Sequence, residues 1–379
     1  MPKITVVIPN YNHGRYIGET IDHIVRQTFQ DWELVVVDDG STDDSRDVLR
    51  RYERQLKVIR TEHKGPAAAR NCAIEATDSE YIAFMDADDL CEARRFELQS
   101  GMLEDRNVDL VTSALSFIDE SGWPIPGLWT CPPNARNDYW ASLLERNWIG
   151  TPSVILRRSV LEKTGLFDPE FTHAEDYDLW LRVGRSHAIG HIEAPLIQCR
   201  RHETNTSIDI DSHQRFERKA LQKIDRDSAR TAFGRLYPGR QECDAAWIWF
   251  LLRKGDPAFV EEAHSALARN PHSFPVRFAL GVFHYDSGHY EKARATFLGL
   301  KEDDAASTHN IGVISALCGD LDEARMRLTA ALRLRPEYHD ARYNLEALSQ
   351  GRRLRLTRRP LRANLVPMQG TARKVPAPI

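Results

Sequence analysis

Two acidic segments, each placed directly after an apolar run, are the parts of this chain best suited to chemistry: residues 38–43 and 86–89. In the second, Asp86, Asp88 and Asp89 place three carboxylates within four residues. These charges repel one another unless a cation neutralises them, and hard oxygen ligands suit Mg2+ or Mn2+, which would bridge the phosphates of a substrate. In the first, Asp39 can accept the ring N–H of a pyrimidine base, and Gly40 lets the backbone approach a ligand. Helix-capping acids and a solvated turn are the alternative interpretations.

A third segment, residues 62–71, lies between the acidic ones and combines cations with small residues. The Lys64-Gly65 turn opens a helix that contains Arg70. Such a turn can place cations and backbone N–H groups near an anionic ligand. The alanines of this segment also suit close packing between a helix and a sheet.

The elements that must position these segments alternate between strands and helices. Apolar runs at 4–9, 32–37, 57–60 and 81–85 predict strands, and the stretches between them predict helices. This alternation predicts an α/β domain with a mostly parallel central sheet. Ligands of such sheets lie beyond the carboxyl ends of the strands, where every segment named above is found.

A second kind of pattern begins after about residue 212. Residues 246–350 are helical in pattern, and Gly288 and Gly319, like Ala293 and Ala324, are 31 residues apart. The spacing resembles tetratricopeptide repeats, in which small residues at fixed offsets let paired helices pack closely. An irregular helical bundle is the alternative.

Composition excludes several classes of protein. The formal charge of −4 favours neither nucleic acid nor a membrane, and six scattered cysteines argue against a disulfide framework or a cysteine zinc site. No run approaches the length of a membrane helix, and the first residues contain no signal-peptide pattern, so we expect a cytoplasmic protein. Residues 351–379 carry eight Lys or Arg and no acid. This tail is predicted either to be disordered and solvated, the interpretation we favour, or to contact the inner membrane face peripherally.

The order and spacing of these segments resemble the inverting family-two glycosyltransferases with the GT-A fold. The resemblance covers about residues 3–207 and extends to the segments 7–12, 37–43, 65–71 and 86–89. It implies that Asp39 recognises a uracil-type base in a pocket lined by Pro9 and Tyr11, and that Asp86 and Asp88 hold ribose and metal. The predicted nucleotide-sugar-binding residues are therefore Pro9, Tyr11, Asp39, Lys64, Arg70, Asp86, Ala87 and Gly150.

The resemblance extends to three segments of the second half of this domain. Residues 148–153, with Gly150, are similar to the family's glycine loop under the donor sugar, and residues 167–182 to the segment bearing the catalytic base. By position Asp176 is that base and Glu175 its catalytic neighbour, with Asp178 as the second candidate. A salt-bridge set on one helix is the alternative for these acids. His202 resembles the histidine that approaches the metal or the diphosphate, and an ordinary surface histidine is the alternative. The predicted metal ligands are Asp86, Asp88 and His202.

These observations predict four regions: a GT-A catalytic domain at 1–212, a helical connector at 213–245, tetratricopeptide-like repeats at 246–350 and the basic tail. The predicted reaction is inverting, Mn2+- or Mg2+-dependent transfer of a hexosyl or N-acetylhexosaminyl group from a UDP sugar. Its acceptor would be a glycan, a lipid-linked or another hydroxyl compound of polysaccharide biosynthesis. The repeats are expected to bind a partner protein or to pair subunits. A nucleotidyltransferase, or a repeat-based scaffold with an inactive catalytic domain, stays open as an alternative.

Overall fold

The computed structural model describes residues 1–105, 107–203, 205, 209–300 and 304–359. These residues form two compact units: the first comprises residues 1–225, and the second the described residues from 226 onward. The boundary lies inside the segment for which the sequence predicts a helical connector. None of the helices in the described ranges combines the length and the apolar character that a membrane crossing requires.

The first unit is built on a nine-stranded sheet. In chain order its strands are β1 (Ile4–Asn10), β2 (Trp32–Asp38), β3 (Lys57–Arg60), β4 (Tyr81–Phe84), β5 (Leu90–Cys91), β6 (Leu110–Asp119), β7 (Pro124–Trp129), β8 (Ile155–Arg157) and β9 (Ile189–Arg201). They lie in the order β3-β2-β1-β4-β8-β6-β9-β5, with β7 paired to β6. The pairs among β1 to β4 are parallel, as the alternating pattern predicts. The pairs that β5, β7 and β8 form are antiparallel, so the whole sheet is mixed.

Helices cover this sheet, and their apolar faces form the core with it. They are α1 (Gly14–Val25), α2 (Ser45–Arg50), α3 (Pro66–Glu75), α4 (Arg95–Asp105), α5 (Tyr139–Glu145), α6 (Arg158–Thr164), α7 (Glu175–Ser186) and α8 (Ile210–Gln222). In α1, Ile17, Ile21 and Ile24 recur at helical spacing, are fully buried and belong to the same apolar cluster as the strand residues Val6 and Val36.

The parallel half of the sheet brings the acidic segments together. Strand β1 lies between β2 and β4 and runs in the same direction as both, so the three chain segments that follow them leave the sheet at one edge. The fully buried Arg95 secures the end of β4 by donating hydrogen bonds to the carbonyls of Phe84 (2.9 Å) and Val154 (3.3 Å). Burial lowers the pKa of Arg95 to about 10, which still leaves it a cation at neutral pH.

The second unit consists of helices. They are α9 (Arg226–Leu236), α10 (Arg240–Lys254), α11 (Phe259–Arg269), α12 (Phe274–Asp286), α13 (Tyr290–Leu298), α14 (Ala305–Leu317), α15 (Leu321–Leu334) and α16 (His339–Ser349). The all-helical second domain that the sequence predicts is therefore present. Its core includes Phe278, Val282, Phe297 and Ile314.

The 31-residue period of the sequence corresponds to equivalent places in two successive helix pairs. Gly288 follows α12 with φ +74°, and Gly319 follows α14 with φ +89°, a backbone conformation that glycine adopts without strain. Ala293 of α13 and Ala324 of α15 are both fully buried. Small residues thus recur where each pair turns and where its helices meet.

Residues 352–359 differ from the prediction of a disordered tail. They have no regular secondary structure, yet backbone groups of Arg355 and Thr357 are hydrogen-bonded to side chains of α16 and α14. This stretch is packed because its backbone polar groups find partners there. Residues 360–379, which contain the rest of the predicted tail, lie outside the described residues.

We predict that Gly281 of α12 is required for the close approach of α13. A Cβ atom at Gly281 would lie 2.7 Å from the Phe297 ring, so Gly281→Ala should lower the free energy of unfolding by about 1–3 kcal/mol. Gly234 is the matched control, since it is exposed in α9 with no heavy atom within 4 Å of such a Cβ. Gly234→Ala should raise stability by up to about 1 kcal/mol. Urea unfolding followed by circular dichroism measures both, and equal midpoints would contradict the prediction.

Candidate active site

The carboxylate of Asp39, directly after β2, holds the segment that follows β3. It accepts hydrogen bonds from the backbone N–H groups of Lys64 (2.9 Å) and Gly65 (2.8 Å) and from the Thr61 hydroxyl (3.1 Å). The His63 imidazole lies 2.9 Å from its second oxygen. Although Asp39 is only 3 % exposed, its negative charge is therefore matched by four donors.

An aromatic shelf lies beside this carboxylate. The Tyr11 ring is 41 % exposed and stacks on His63, with ring centroids 3.9 Å apart. Pro9 lies in β1 opposite Val37 of β2. The Asp39 N–H donates a hydrogen bond to the carbonyl of Asn10 (2.8 Å), the residue between Pro9 and Tyr11. Pro9, Tyr11, Asp39 and Lys64 thus share one edge of the sheet, as the sequence predicts.

Hydrogen bonds to side chains connect the loop after β1 to the loop after β2. Asn12 has φ +57°, and its side-chain oxygen accepts a hydrogen bond from the Thr42 N–H (2.8 Å). Gly14 donates its N–H to Asp43 (2.8 Å), and a Cβ there would lie 2.0 Å from an Asp44 carboxylate oxygen. These contacts fix His13, the residue between them.

The three acids after β4 lie in three different environments. Asp86 pairs with Arg70 (2.8 Å), while Asp89 is buried and accepts the backbone N–H of Arg200 (2.8 Å). Burial, with the neighbouring Asp88 and Asp86, raises the pKa of Asp89 well above its ordinary value. Burial also raises the pKa of Asp86, and the negative charge of Asp88 adds to this, although Arg70 opposes the rise. Ala87 lies between them, and its carbonyl accepts the Thr20 hydroxyl (2.9 Å).

Asp88 is the member of the triplet that meets two histidines. Its Oδ2 lies 2.7 Å from Nε2 of His202 and 3.9 Å from Nε2 of His13. One ligand atom from each of these three residues lies within 4.8 Å of the others. The Asn205 amide donates to the same oxygen (3.3 Å), and the Tyr16 ring stacks on His202 at 5.1 Å.

This cluster agrees only in part with the metal ligands that the sequence predicts. It contains Asp88 and His202 but not Asp86, which pairs with Arg70 instead. It adds His13, for which sequence spacing gives no indication because 75 residues separate it from Asp88. The available signal was its position: His13 follows a strand at the same sheet edge as the acidic segments.

Arg70 joins the acidic turn to the start of α7. Its guanidinium donates to Asp86 (2.8 Å) and to Glu175 (2.7 Å), and it lies 5.4 Å from the Phe167 ring centre. Its side chain is only 6 % exposed. Burial disfavours the cation, but the two carboxylates outweigh burial and raise the pKa of Arg70 above its ordinary value. Arg70 therefore remains charged.

Asp176, in the first turn of α7, is held by neutral donors. Its Oδ2 accepts hydrogen bonds from the Thr151 hydroxyl (3.0 Å) and the Asn147 amide (3.2 Å). It is half-buried, and burial, followed by the negative charge of Glu175, raises the pKa of Asp176 to about 6. Ala174, which precedes α7, has φ +54°, a strained conformation for alanine.

Gly150 shapes the other side of Asp176. A Cβ at Gly150 would lie 3.0 Å from a Leu115 methyl carbon, so a larger residue would push against β6. Thr151, which donates to Asp176, follows Gly150 directly. The predicted glycine loop and the predicted base are therefore adjacent in the structure.

Asp178, the second candidate for the base, has a different environment. Its side chain is 2 % exposed and pairs with Arg182 (3.0 Å) and Lys223 (2.7 Å). The helical salt-bridge interpretation therefore describes Asp178 and Arg182, whereas Glu175 pairs with Arg70. Two cations and deep burial leave Asp178 poorly placed to accept a proton from a substrate.

The sheet and its helical cover form a GT-A-like domain, and the relatives of this chain are named as glycosyltransferases. The family model described as Glycosyl transferase family 2 matches residues 5–165. The chain is 30% identical over 218 residues to "UDP-Glc:alpha-D-GlcNAc-diphosphoundecaprenol beta-1,3-glucosyltransferase WfgD" of Escherichia coli, covering 57% of this chain and 83% of that protein. The chain belongs to glycosyltransferase family 2.

Two further relatives agree with this assignment, and a solved structure agrees with the fold. The "Putative teichuronic acid biosynthesis glycosyltransferase TuaG" of Bacillus subtilis is 31% identical over 187 residues, 48% of this chain and 72% of that one. An uncharacterized glycosyltransferase of Rickettsia bellii is 27% identical over 207 residues, 54% of this chain but only 30% of that protein. The crystal structure of S. aureus TarS 1-349 in complex with UDP-GlcNAc has the same fold, with a TM-score of 0.51 and 18% identity, covering 89% of this chain and 93% of that chain.

We predict that the fold depends on Arg70 far more than on a surface arginine. Arg70→Met leaves Asp86 and Glu175 without their cation, which should lower the free energy of unfolding by about 3–5 kcal/mol. Arg50 pairs with Asp47 on the surface, so Arg50→Met should change stability by less than about 1 kcal/mol. Urea unfolding monitored by tryptophan fluorescence measures both, and similar losses would contradict the prediction.

Proposed function

We propose that this chain catalyses inverting transfer of a sugar from a UDP sugar to a hydroxyl group of a lipid-linked glycan, with Asp176 as the general base. The observation that carries the proposal is the environment of Asp176. It is half-buried, neutral donors hold one of its oxygens, and its pKa is raised to about 6. A base of that pKa is ionised at neutral pH and still accepts a proton readily.

Asp176 is the one protein group that exchanges a proton in the proposed reaction. Its carboxylate accepts the proton of the acceptor hydroxyl while that oxygen attacks the anomeric carbon of the donor. The bond from this carbon to the diphosphate oxygen breaks on the opposite face, and the electron pair leaves with the nucleoside diphosphate. Attack opposite the leaving group inverts the anomeric configuration. Thr151 and Asn147 orient the carboxylate, and Glu175 is positioned beside it through its ion pair with Arg70.

At the donor end, we propose that the uracil ring of the nucleotide binds to the surface formed by Tyr11 and Pro9, beside Asp39. Two of the four donors to Asp39 are side chains that can rotate: the Thr61 hydroxyl and the His63 imidazole. When they rotate away, an oxygen of Asp39 can accept a ring N–H of the uracil instead. Lys64, whose backbone N–H holds Asp39, is exposed and supplies a cation close to the phosphates. Arg70 connects Asp86 to Glu175, the neighbour of Asp176.

For the metal, the donor set fits a divalent ion. His13, Asp88 and His202 converge within 4.8 Å, and imidazole nitrogen with carboxylate oxygen favours a first-row transition ion such as Mn2+ over Mg2+. When bound, such an ion neutralises charge on the departing diphosphate. Asp86, already paired with Arg70, acts on the sugar or ribose side of the site instead.

The name of one relative supports the proposed acceptor class. The E. coli protein is named for a diphosphoundecaprenol-linked acceptor, and the match covers 83% of its length. We propose a lipid-linked acceptor for this chain on that ground. Peripheral membrane contact and a cytoplasmic site of action remain predictions of the sequence.

Nucleotide release from a panel of UDP and GDP sugars, with Mn2+ and a polyprenyl-diphosphate-linked sugar as acceptor, tests the proposed function. We expect release from a UDP sugar that increases with acceptor, and nuclear magnetic resonance of the product should show the inverted anomer. Retention of configuration would exclude Asp176 as the base of a single displacement. Release from GDP sugars alone would refute the proposal that the site binds a uracil nucleotide.

We predict that Asp176→Asn lowers the turnover number by about a hundredfold or more, because it removes the base at constant volume. Binding of UDP, measured by calorimetry, should be unchanged. Asp178→Asn is the comparison: it weakens the pairs with Arg182 and Lys223 and should reduce stability rather than turnover per folded molecule. A large loss of turnover in Asp178→Asn alone would move the base to that residue.

The pH profile gives the control for this assignment. The basic form of Asp176 is the carboxylate, and its pKa is about 6, so turnover should fall about tenfold per pH unit below pH 6. The residual activity of Asp176→Asn should lack this decline. An unchanged decline in the variant would assign it to another group.

We predict that His13→Ala weakens Mn2+ binding to the whole chain by at least about tenfold, because it removes one of three converging ligands. Electron paramagnetic resonance of free Mn2+ measures this without substrate. His264→Ala, at an exposed histidine of α11, is the control and should leave the affinity unchanged. Equal affinity of the wild-type chain for Mg2+ and Mn2+ would contradict the donor-set argument.

A further inference from the structure

Two asparagines hold the backbone of residues 354–358, a segment of the second unit outside its helices. Asn344 of α16 donates to the Arg355 carbonyl (2.7 Å) and accepts the Arg355 N–H (2.9 Å). Asn310 of α14 does the same for Thr357, with 2.8 Å to its carbonyl and 2.9 Å from its N–H. Each side-chain amide therefore satisfies both backbone groups of one residue.

The spacing of these bonds matches the geometry of an extended chain. In such a chain the N–H and C=O of one residue point to the same side, and residues two apart share that side. Asn310 and Asn344 are 34 residues apart, lie on helices of successive pairs and are both fully buried. Asparagine is a poor helix former, so its presence inside two such helices needs another reason. Both asparagines contact the buried His309, Asn344 at 2.7 Å and Asn310 at 3.2 Å, and their remaining hydrogen bonds bind the backbone of the segment.

The side chains of the segment are also recognised. The Thr357 hydroxyl contacts the Tyr338 hydroxyl, a carboxylate oxygen of Asp340 (3.2 Å) and Nδ1 of His309 (3.3 Å). Leu356 packs against the apolar cluster that contains Phe278.

The two flanking arginines contact surface groups of the helices. The Arg355 guanidinium lies 3.9 Å from the Tyr343 ring centre, and Arg358 pairs with Asp286 (2.6 Å). The segment Arg355-Leu356-Thr357-Arg358 is therefore contacted by an aromatic ring and a carboxylate at its two ends, and by an apolar cluster and several polar groups between them.

We propose that the surface formed by α12, α14 and α16 is a binding groove for an extended polypeptide, and that residues 354–358 are its built-in occupant. The partner that fits is a protein segment with the same chemistry, an apolar residue and a threonine between arginines. It binds when it displaces the segment of this chain. This inference is independent of the proposed transfer reaction, since every residue that carries it lies in the second unit.

The test uses the full chain with the substitution Thr357→Pro, which removes the N–H that Asn310 accepts and so releases the occupant. A fluorescent synthetic peptide with the wild-type sequence of residues 351–360 is then titrated at moderate salt, with fluorescence anisotropy as the readout. We expect saturable binding to Thr357→Pro and at least about tenfold weaker binding to the wild-type chain, whose groove is occupied. A scrambled peptide of equal charge should not bind.

The asparagine pairs give the matched variants. Adding Asn310→Ala to Thr357→Pro removes two hydrogen bonds to the peptide and should weaken its binding by about tenfold or more. Adding Ser315→Ala, at another buried polar residue of α14 that bonds Glu323, should leave binding unchanged. Absence of peptide binding to Thr357→Pro, or equal binding of the scrambled peptide, would overturn the proposal.

Hydrogen exchange of the unmodified chain tests the occupant directly. The amides of Arg355 and Thr357 should be protected, and Asn344→Ala should remove the protection of Arg355. Analytical ultracentrifugation measures the oligomeric state, and we expect the wild-type chain to be a monomer. A wild-type dimer that dissociates in Thr357→Pro would assign the groove to the segment of a second copy and overturn the intramolecular occupant.

Discussion

The ion pairs of Arg70 connect the two halves of the candidate active site. Asp86 follows the parallel part of the sheet, whereas Glu175 opens a helix 105 residues beyond Arg70. A guanidinium with 6 % exposure is costly to bury unless carboxylates match it, and here two do. The same carboxylates would repel each other without it. The mutual dependence of these three charges places Asp176, the neighbour of Glu175, at a fixed distance from the acidic turn.

Around this link, similar side chains acquire different properties from their surroundings. Asp89 is buried and its pKa is strongly raised, Asp178 is neutralised by two cations, and Asp88 meets two imidazoles. Asp176 alone among these acids combines partial exposure, neutral hydrogen-bond donors and a pKa raised to about 6. Division of roles among carboxylates therefore follows from burial and partners, because the side chains themselves are identical.

The second unit applies a different physical rule. Its helices are packed through small residues at a regular spacing, and that regularity repeats a surface from one helix pair to the next. Asn310 and Asn344 use the repetition to reach two residues of one extended segment. The sequence matches to the three named relatives cover at most 57% of the chain, so the activity of the family does not by itself assign a role to these helices.

Local pattern was sufficient to predict the acidic strand ends, the parallel pairing among β1 to β4, the helical second domain and the 31-residue period, because each depends on neighbours in the sequence. The pairing of Asp88 with His13, of Arg70 with Glu175 and of Asn344 with Arg355 was not predictable in this way. The residues of the first two pairs lie 75 and 105 positions apart, and those of the third belong to a helix and to a segment without helical or strand periodicity. A sequence pattern reports which residue types recur at short spacing, whereas these contacts exist only once the sheet and the helix pairs have brought distant segments together. Sequence therefore determined the class of chemistry, and tertiary structure decided which carboxylate is held by neutral donors, which one meets the imidazoles and which backbone groups the two asparagines bind.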